Sequence, residues 1–282
     1  MKGKFKIDKE ITSTNPIAVG DHVTIALEND SENSVMITAI EKRKNYLVRT
    51  SPHNKNQKHI VASNLDQSIL IATIKDPRTS TGFIDRFLVT AEAYNIPAVL
   101  VFNKLDLYSE DGLEILATCQ TIYERIGYPC LSTSAIKGTH IDQIKDLLEN
   151  KTTLITGHSG VGKSTLINTL IPGFGLKTGH ISDWSDKGKH TTTFAEMFPL
   201  PFGGYLIDTP GIRELGVIDI EKQELGHFFP EIRQYMSACK FHNCRHINEP
   251  GCAVLEALEQ GNMELSRYES YLSIYHGNET RR

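Results

Sequence analysis

The chain has 282 residues, of which 39% are hydrophobic and 23% charged, and its formal net charge is −4. This composition is typical of a soluble globular protein, the length suits about two domains, and the slight negative charge means that any nucleic-acid contact must come from local basic patches. There is no secretory leader and no apolar run near the ~18 residues of a membrane span, so we expect a cytoplasmic protein without a membrane partner.

The first segment, residues 1–67, has the pattern of a small β-rich domain. Strand-like runs at 23–27, 35–40, 46–49 and 60–62 are separated by short polar turns. This pattern predicts a barrel of the OB type that is a strand short, because the first ten residues supply at most one more strand. Lysines are frequent in this segment, and by themselves such charges favour a solvated surface over RNA contact.

From about residue 68 the chain alternates between short apolar strands and helices, and this second segment extends to residue 222. Such runs suit strands buried on both faces of a parallel sheet, so an α/β doubly wound domain is predicted. From residue 223 to 282 a mainly helical domain is expected. The predicted strands are 68–74, 98–102, 130–133, 152–156 and 205–207, and the predicted helices between them are 84–94, 111–126 and 141–148.

Two motifs typical of guanine recognition follow neighbouring strands. Asn103-Lys104-Leu105-Asp106 matches N-K-x-D, in which the carboxylate of Asp106 accepts hydrogen bonds from the ring N–H and the exocyclic amine of guanine. Adenine would leave that carboxylate unpaired, at a cost of a few kcal/mol. Asn103 is expected to tie the base site to the phosphate site, and the Lys104 stem to cover the ring. The alternative is an ordinary turn at a strand end.

Ser134-Ala135, after the next strand, is similar to the last motif of GTPases, in which the Ala135 N–H would meet guanine O6. In isolation this motif is a weak signal.

The segment 157–164 fits G-x-x-x-x-G-K-[ST], the phosphate-binding P-loop, and lies between a predicted strand and a helix starting near 165. Its glycines allow backbone N–H groups to surround phosphate oxygens, and the helix N-terminus adds partial positive charge. Lys163 would reach the β- and γ-phosphates and contribute to catalysis, and Ser164 would bind Mg²⁺. The alternative is a glycine-rich loop without a ligand.

Asp208-Thr209-Pro210-Gly211 follows the last predicted strand. An aspartate at this place suits a Walker-B role toward Mg²⁺, and the Gly211 N–H would meet the γ-phosphate. In Ras-type enzymes a glutamine after this motif orients the attacking water, but here the position holds Ile212, which cannot. Slow intrinsic hydrolysis is therefore expected.

The stretch 173–189 is rich in Gly, Ser, Asp and Lys and predicts a mobile loop. It leads to His190 and the switch threonines, of which Thr192 is assigned to catalysis. His190 is the candidate for positioning the attacking water, and the alternative is a surface histidine. The residues predicted to bind GTP are Asn103, Lys104, Asp106, Ser134, Ala135, Gly157, His158, Ser159, Gly160, Val161, Gly162, Lys163, Ser164, Thr165, Asp208 and Gly211.

The order of the motifs predicts a circular permutation. In ordinary GTPases the P-loop and D-x-x-G precede N-K-x-D, whereas here N-K-L-D comes first, at 103, and D-T-P-G last, at 208. A permutation leaves the fold intact but places the nucleotide-sensitive segment directly before the C-terminal domain.

The C-terminal segment contains Cys239-x4-Cys244-x-His246-x5-Cys252. Three thiolates and an imidazole suit tetrahedral Zn²⁺, one ion per chain, and such a site would stabilise a small helical domain. His242 is a competing ligand, and the alternative is a set of unrelated cysteines. The odd total of five cysteines fits a reducing compartment better than a disulfide framework.

Together these motifs resemble the ribosome small-subunit-dependent GTPase A family (RsgA/YjeQ), over nearly the whole chain. The resemblance implies a bacterial GTPase that acts late in maturation of the small ribosomal subunit and is stimulated by it. It implies that the OB-like and zinc domains hold ribosomal RNA, which moves the N-terminal lysines toward RNA contact. In that family a histidine at the position of His190 is implicated in hydrolysis, and members usually have a longer N-terminal barrel.

Two other functions remain open from the sequence. One is an RNA-binding assembly factor whose nucleotide state sets its affinity, with negligible turnover, which Ile212 favours. The other is a P-loop ATPase or kinase of a small substrate, against which Asn103 and Asp106 argue. We expect a monomer, because no long apolar interface is evident in the sequence.

Overall fold

A computed structural model describes residues 16–27, 35–50, 58–173, 195–208 and 220–277. Apart from strand β9, these residues form strands and α-helices in the order that the sequence predicts, with a central sheet between two layers of helices. The strands are β1 (Val23–Leu27), β2 (Val35–Ile40), β3 (Tyr46–Thr50), β4 (Lys58–Ser63), β5 (Gln67–Ala72), β6 (Ala98–Phe102), β7 (Cys130–Ser132), β8 (Thr152–Thr156), β9 (Glu196–Pro199) and β10 (Tyr205–Asp208). The helices are α1 (Thr81–Ala93), α2 (Glu110–Arg125), α3 (Ile141–Leu148), α4 (Lys163–Leu170), α5 (Pro230–Met236), α6 (Ala253–Glu259) and α7 (Leu265–His276).

The central sheet has six strands in the order β7-β6-β5-β8-β10-β9, all parallel except β9. Side chains of β5 alternate between the two helix layers, as a strand requires. Ile69 and Ile71 pack with α3 and α4, whereas Leu70 and Ala72 pack with α1 and α2. Because all strands except β9 are parallel, their carboxyl ends meet at one edge of the sheet, where ligands bind in folds of this kind.

Strand β9 is absent from the sequence prediction. It has only four residues, none of them buried, and it pairs antiparallel with β10 at the edge of the sheet. The connection turns at Gly203 and Gly204, which have φ of +93° and +87°. Because an edge strand this short carries no alternating apolar pattern, periodicity does not reveal it.

Helix α1 begins three residues before its predicted start, and the reason is a cap. The side chain of Ser80 accepts a hydrogen bond from the Phe83 backbone N–H at 3.3 Å, which satisfies a donor that a helix start leaves unpaired. The chain therefore turns into α1 directly after the loop that follows β5, at the ligand edge of the sheet.

Among the described residues, the N-terminal strands form two antiparallel pairs, β1 with β2 and β3 with β4, and the OB-type barrel stays a prediction. The β3–β4 pair packs on the central sheet, with Leu47, Leu65 and Leu154 in one buried cluster. Asn45 reinforces this packing, because its amide group both donates to and accepts from the Leu65 backbone at 2.8 Å.

The C-terminal helices α5, α6 and α7 share an apolar core that includes Phe229, Ile232 and Tyr271. Val89 of α1 belongs to the same core, so these helices pack directly on the α/β region. Among the described helices, none has the length and the apolar composition that crossing a bilayer requires.

Candidate functional site

The predicted P-loop connects β8 to α4 and is held in a shape that only glycine permits. Gly157 has φ of +148°, and a Cβ there would lie 2.3 Å from the carbonyl oxygen of Ile71 in β5. Gly162 has φ of +91°, and a Cβ there would lie 2.4 Å from Nδ2 of Asn103. The loop therefore lies against both the neighbouring strand and the N-K-L-D segment.

Lys163 is the first residue of α4 and its ammonium group turns back into the loop. It donates hydrogen bonds to the backbone oxygens of Gly157, at 2.5 Å, and His158, at 2.7 Å. Burial lowers the pKa of Lys163 from 10.5 to about 8, and the carboxylate of Asp208 opposes this shift. A phosphate placed in the loop would add negative charge beside the amine and raise this pKa again.

This pKa predicts that nucleotide affinity depends on pH. Below pH 8 Lys163 is already protonated in the nucleotide-free protein, so the Kd for GDP should be constant. Above pH 8 binding must take up a proton, so the Kd should rise by up to about tenfold per pH unit. Titration between pH 7 and 9.5 measures this slope, and Lys163→Arg, which stays charged, is the control for ionisation of guanine itself. If the Kd for GDP rose equally with pH in the wild type and in Lys163→Arg, the pH dependence would not come from Lys163.

Ser164 and Asp208 are the predicted Mg²⁺ ligands, and both are buried. Ser164 lies in the first turn of α4, and Asp208 is the last residue of β10, paired across the sheet with Ile155 of β8. A hydroxyl and a carboxylate are the hard oxygen donors that Mg²⁺ prefers, so this pair fits the ion that accompanies a nucleotide.

Asn103 joins three distant motifs and is almost completely buried, with 1% of its surface exposed. Its Nδ2 donates to the backbone oxygen of Val161 in the P-loop at 2.8 Å. Its Oδ1 accepts from the backbone N–H of Ala135 at 3.2 Å. One side chain thus holds together the loops predicted to bind the base and the phosphates, which is the contact expected of Asn103. The N–H of Ala135, expected at guanine O6, is directed at Asn103 in this structure.

The carboxylate of Asp106 is exposed at the surface and oriented by one neighbour. Ser134 Oγ donates a hydrogen bond to Oδ1 of Asp106 and accepts one from the Lys137 N–H at 3.1 Å. Lys104 has a left-handed backbone with φ of +66°, and its Nζ donates to the backbone oxygen of Asp76. The two residues predicted to recognise guanine are therefore positioned by the loops on either side of them.

Tyr108 contacts the N-K-L-D segment but belongs to no sequence motif. Its hydroxyl accepts from the Ile74 N–H at 2.9 Å and donates to the backbone oxygen of Asn103 at 2.5 Å. Burial is the main cause that raises the pKa of Tyr108, so the hydroxyl stays protonated and able to donate. A tyrosine two residues after a loop motif carries no local signal, because its partner at Ile74 is distant in sequence.

The four predicted metal ligands converge in the C-terminal segment. The ligand atoms of Cys239, Cys244, His246 and Cys252 all lie within 4.8 Å of one another. His246 Nδ1 is 3.5 Å from the sulfurs of both Cys239 and Cys252, and those two sulfurs are 3.9 Å apart. A tetrahedral ion with Zn–S near 2.3 Å and Zn–N near 2.0 Å implies edges of about 3.5 to 3.8 Å, so the spacings among Cys239, His246 and Cys252 are close to those of a zinc site.

Second-layer contacts hold the ligand loop in place. Tyr268 donates its hydroxyl to the backbone oxygen of His246 at 2.8 Å. Glu249 accepts from the backbone N–H groups of Arg245 and Ile247, both at 2.9 Å. Burial opposes ionisation of Glu249, but these hydrogen bonds outweigh it and lower its pKa to about 2. His242, the competing ligand, is exposed and is not in the cluster.

The family model for the RsgA GTPase matches residues 40–218, which is more than half of the chain. The chain belongs to the RsgA GTPase family. Two relatives named small ribosomal subunit biogenesis GTPase RsgA are similar over almost the whole chain. That of Bacteroides fragilis is 53% identical over 274 residues, covering 97% of this chain and 87% of the relative. That of Flavobacterium psychrophilum is 51% identical over 280 residues, covering 99% and 86%.

Solved structures of similar proteins agree with this membership. YjeQ from Thermotoga maritima is 39% identical, with a TM-score of 0.78 over 94% of this chain and 86% of that one. YloQ, described as a circularly permuted GTPase, is 31% identical, with a TM-score of 0.72 over 97% and 85%. The permuted GTPase fold predicted from the motif order is therefore confirmed, as is the resemblance to the RsgA family.

Several predicted residues lie outside the described part of the chain. They are His190, Thr192 and Gly211, together with Ile212 and most of the predicted loop 173–189. Ser159, Gly160 and Thr165 are described, and they lie in the P-loop and the first turn of α4, as expected from the motif.

Proposed function

We propose that this RsgA-family GTPase hydrolyses GTP to GDP and phosphate, is stimulated by the small ribosomal subunit, and acts in late maturation of that subunit. The observation that carries the enzyme assignment is the bridge through Asn103, because it holds a guanine-reading loop against a phosphate-binding loop. The ribosomal assignment is supported by relatives above 50% identity that are named for small-subunit biogenesis.

Each residue has one task in the proposed mechanism. Asp106 selects guanine, the P-loop N–H groups and Lys163 hold the phosphates, and Ser164 and Asp208 hold Mg²⁺. That ion neutralises charge on the phosphates when it is bound. His190 positions the attacking water and Thr192 assists, because Ile212 stands where a glutamine acts in Ras-type enzymes. This assignment extends to residues outside the described ranges and is therefore tested by mutation.

The remaining parts of the proposal concern partners and location. Residues 1–67 and the C-terminal domain from 223 contact ribosomal RNA, the latter stabilised by one Zn²⁺ on the cysteine–histidine cluster. The protein acts in the cytoplasm as a monomer between GTP-bound and GDP-bound states.

The test is GTP hydrolysis with and without purified small ribosomal subunits, with ATP as the control nucleotide. We expect stimulation of about a hundredfold or more for GTP alone, because a partner that completes a GTPase site by supplying an arginine can raise the rate by about 10³ to 10⁵. His190→Ala should remove most of the stimulated rate and leave GTP binding intact. Equal hydrolysis of ATP would contradict the proposal.

A second candidate is favoured by Ile212, namely a nucleotide-gated RNA-binding factor with negligible turnover. GTP-dependent binding to the subunit without stimulated hydrolysis would identify it. Measuring subunit binding alongside hydrolysis therefore separates the two functions.

A further inference from the structure

The beginning of α1 lies between the P-loop and the C-terminal helices. On one side, the ring of Phe83 packs against the imidazole of His158 in the P-loop, with centroids 3.7 Å apart and planes tilted by 34°. Two residues later, Asp85 is completely buried and accepts hydrogen bonds from α7. Positions two apart on an α-helix point about 200° apart, so one helical turn contacts both regions from opposite faces.

Asp85 takes part in a buried ionic cluster that joins α1 to the C-terminal helices. Arg267 of α7 donates to Asp85 at 2.6 Å and to Glu231 of α5 at 2.7 Å, with only 1% of its side chain exposed. The hydroxyl of Tyr123 in α2 donates to Asp85 at 2.9 Å, and Ser270 of α7 also donates to it. Among the described residues no buried side-chain polar atom lacks a hydrogen-bond partner.

Such a cluster resists sliding of the helices. If α7 moved away from α1, the buried carboxylate of Asp85 and the buried guanidinium of Arg267 would lose each other, and breaking a buried ion pair is strongly unfavourable. By contrast, the Arg125–Glu264 pair between α2 and α7 is exposed, at 3.4 Å, and contributes little. Helices α1 and α7 therefore move together, and α1 in turn contacts the P-loop through Phe83.

The contact with His158 reaches the phosphate site directly. The backbone oxygen of His158 accepts from Lys163 Nζ at 2.7 Å, so a shift of His158 displaces the lysine proposed to hold phosphate. The loop before α1 also contacts the P-loop, since a Cβ at Gly160 would lie 3.3 Å from Pro77. The start of α1 and the P-loop thus form one packed unit.

We propose that Phe83 and Asp85 are positioning residues that couple nucleotide binding at the P-loop to the packing of the C-terminal helices. This coupling acts through α1 and is separate from the covalent connection through residues 209–219. It rests on the proposed function in one respect, that nucleotide binds at the P-loop. Coupling is reciprocal. If a bound nucleotide changes the affinity of the C-terminal helices for a partner by some factor, that partner changes the affinity for nucleotide by the same factor.

The test is a double-mutant cycle on the full chain, with the Kd for fluorescent GDP and for a non-hydrolysable GTP analogue as the readouts. Asp85→Asn should weaken binding of at least one nucleotide about fivefold or more, although Asp85 does not touch the P-loop. Ser270→Ala, a milder change on α7, should act in the same direction. Combining Asp85→Asn with Phe83→Leu should cost no more affinity than Phe83→Leu alone, because both act along one path.

The matched control is Arg125→Gln, which breaks the exposed pair between α2 and α7 and should leave both Kd values unchanged. Thermal denaturation establishes that each variant is folded at the assay temperature, so that lost stability is not mistaken for lost coupling. Wild-type Kd values in both Asp85→Asn and Ser270→Ala, or effects of Phe83→Leu and Asp85→Asn that add independently, would overturn the proposal. Failure of the wild type to bind guanine nucleotide would instead overturn the proposed function.

Discussion

Asp106→Asn should remove most of the preference for GTP over ATP and weaken GTP binding by about a hundredfold or more. The carboxylate is proposed to accept two hydrogen bonds from guanine, and bonds to a charged acceptor are worth about 1.5 to 3 kcal/mol each. Asparagine retains one acceptor but presents an N–H₂ group toward the exocyclic amine of guanine, so two donors face each other. Ser134 is expected to keep the new side chain in the same orientation, since it can donate to an amide oxygen as it does to Oδ1.

The measurement is competition of GTP, ATP and xanthosine triphosphate against fluorescent GDP. Xanthine has an oxygen where guanine has its amine, so the amide of the variant gains a hydrogen bond and binding of xanthosine triphosphate should improve. Asp111→Asn, at an exposed position in the first turn of α2, is the matched control and should change nothing. An unchanged ratio of GTP to ATP affinity in Asp106→Asn would refute this placement of the base.

The parts of the fold that sequence predicts well are those specified over short distances. The P-loop needs only a strand, eight residues and a helix, all adjacent in the chain, and helix α3 has the predicted boundaries. The contact between Asn103 and the P-loop spans 58 positions, yet a motif with a known physical role still predicts it. Motif order likewise sufficed to predict the permuted GTPase fold.

The parts that sequence misses depend on distant partners. Arg267 lies on a helix with many charged and polar neighbours and is typical of an exposed residue, but its partner Asp85 is 182 positions away. Nothing local to either residue indicates burial, because a buried charge is recognisable only from its pair. Tyr108 was missed for the same reason, since its donor at Ile74 lies 34 positions earlier.

The N-terminal segment shows a different limit. Alternating strands were predicted at nearly the observed positions, but which strands pair depends on connections, and those between β1 and β2 and between β3 and β4 lie outside the described residues. The described strands form two antiparallel pairs, β1 with β2 and β3 with β4. In the first pair the side chains of Ile25 and Met36 are exposed. Strand periodicity therefore predicts the elements, and their closure into an OB-type barrel stays a prediction, because periodicity does not encode which strands pair.

Cys252→Ser should unfold the C-terminal helical region by removing one of the four proposed zinc ligands. Between α5 and α6 the described chain has no regular helix or strand, so residues 237–252 depend on the ligand cluster and on the hydrogen bonds to Glu249. Binding of structural zinc contributes about 10 to 16 kcal/mol in small domains, far more than those hydrogen bonds. We expect about one zinc per folded wild-type chain and a strongly lowered melting temperature for the variant.

Serine and cysteine are nearly equal in size, so the variant tests the ligand more than the packing of the buried side chain at 252. Cys130→Ser, at a half-buried free thiol in β7, is the control for the loss of a sulfur and should retain both zinc and stability. Returning zinc to chelated protein should raise the melting temperature of the wild type and leave that of Cys252→Ser unchanged, because only an intact site binds the folded state preferentially. A fully folded wild type without metal would show that the four side chains pack without an ion. The stability of the C-terminal helices would then have to come from their apolar core around Phe229 and Tyr271.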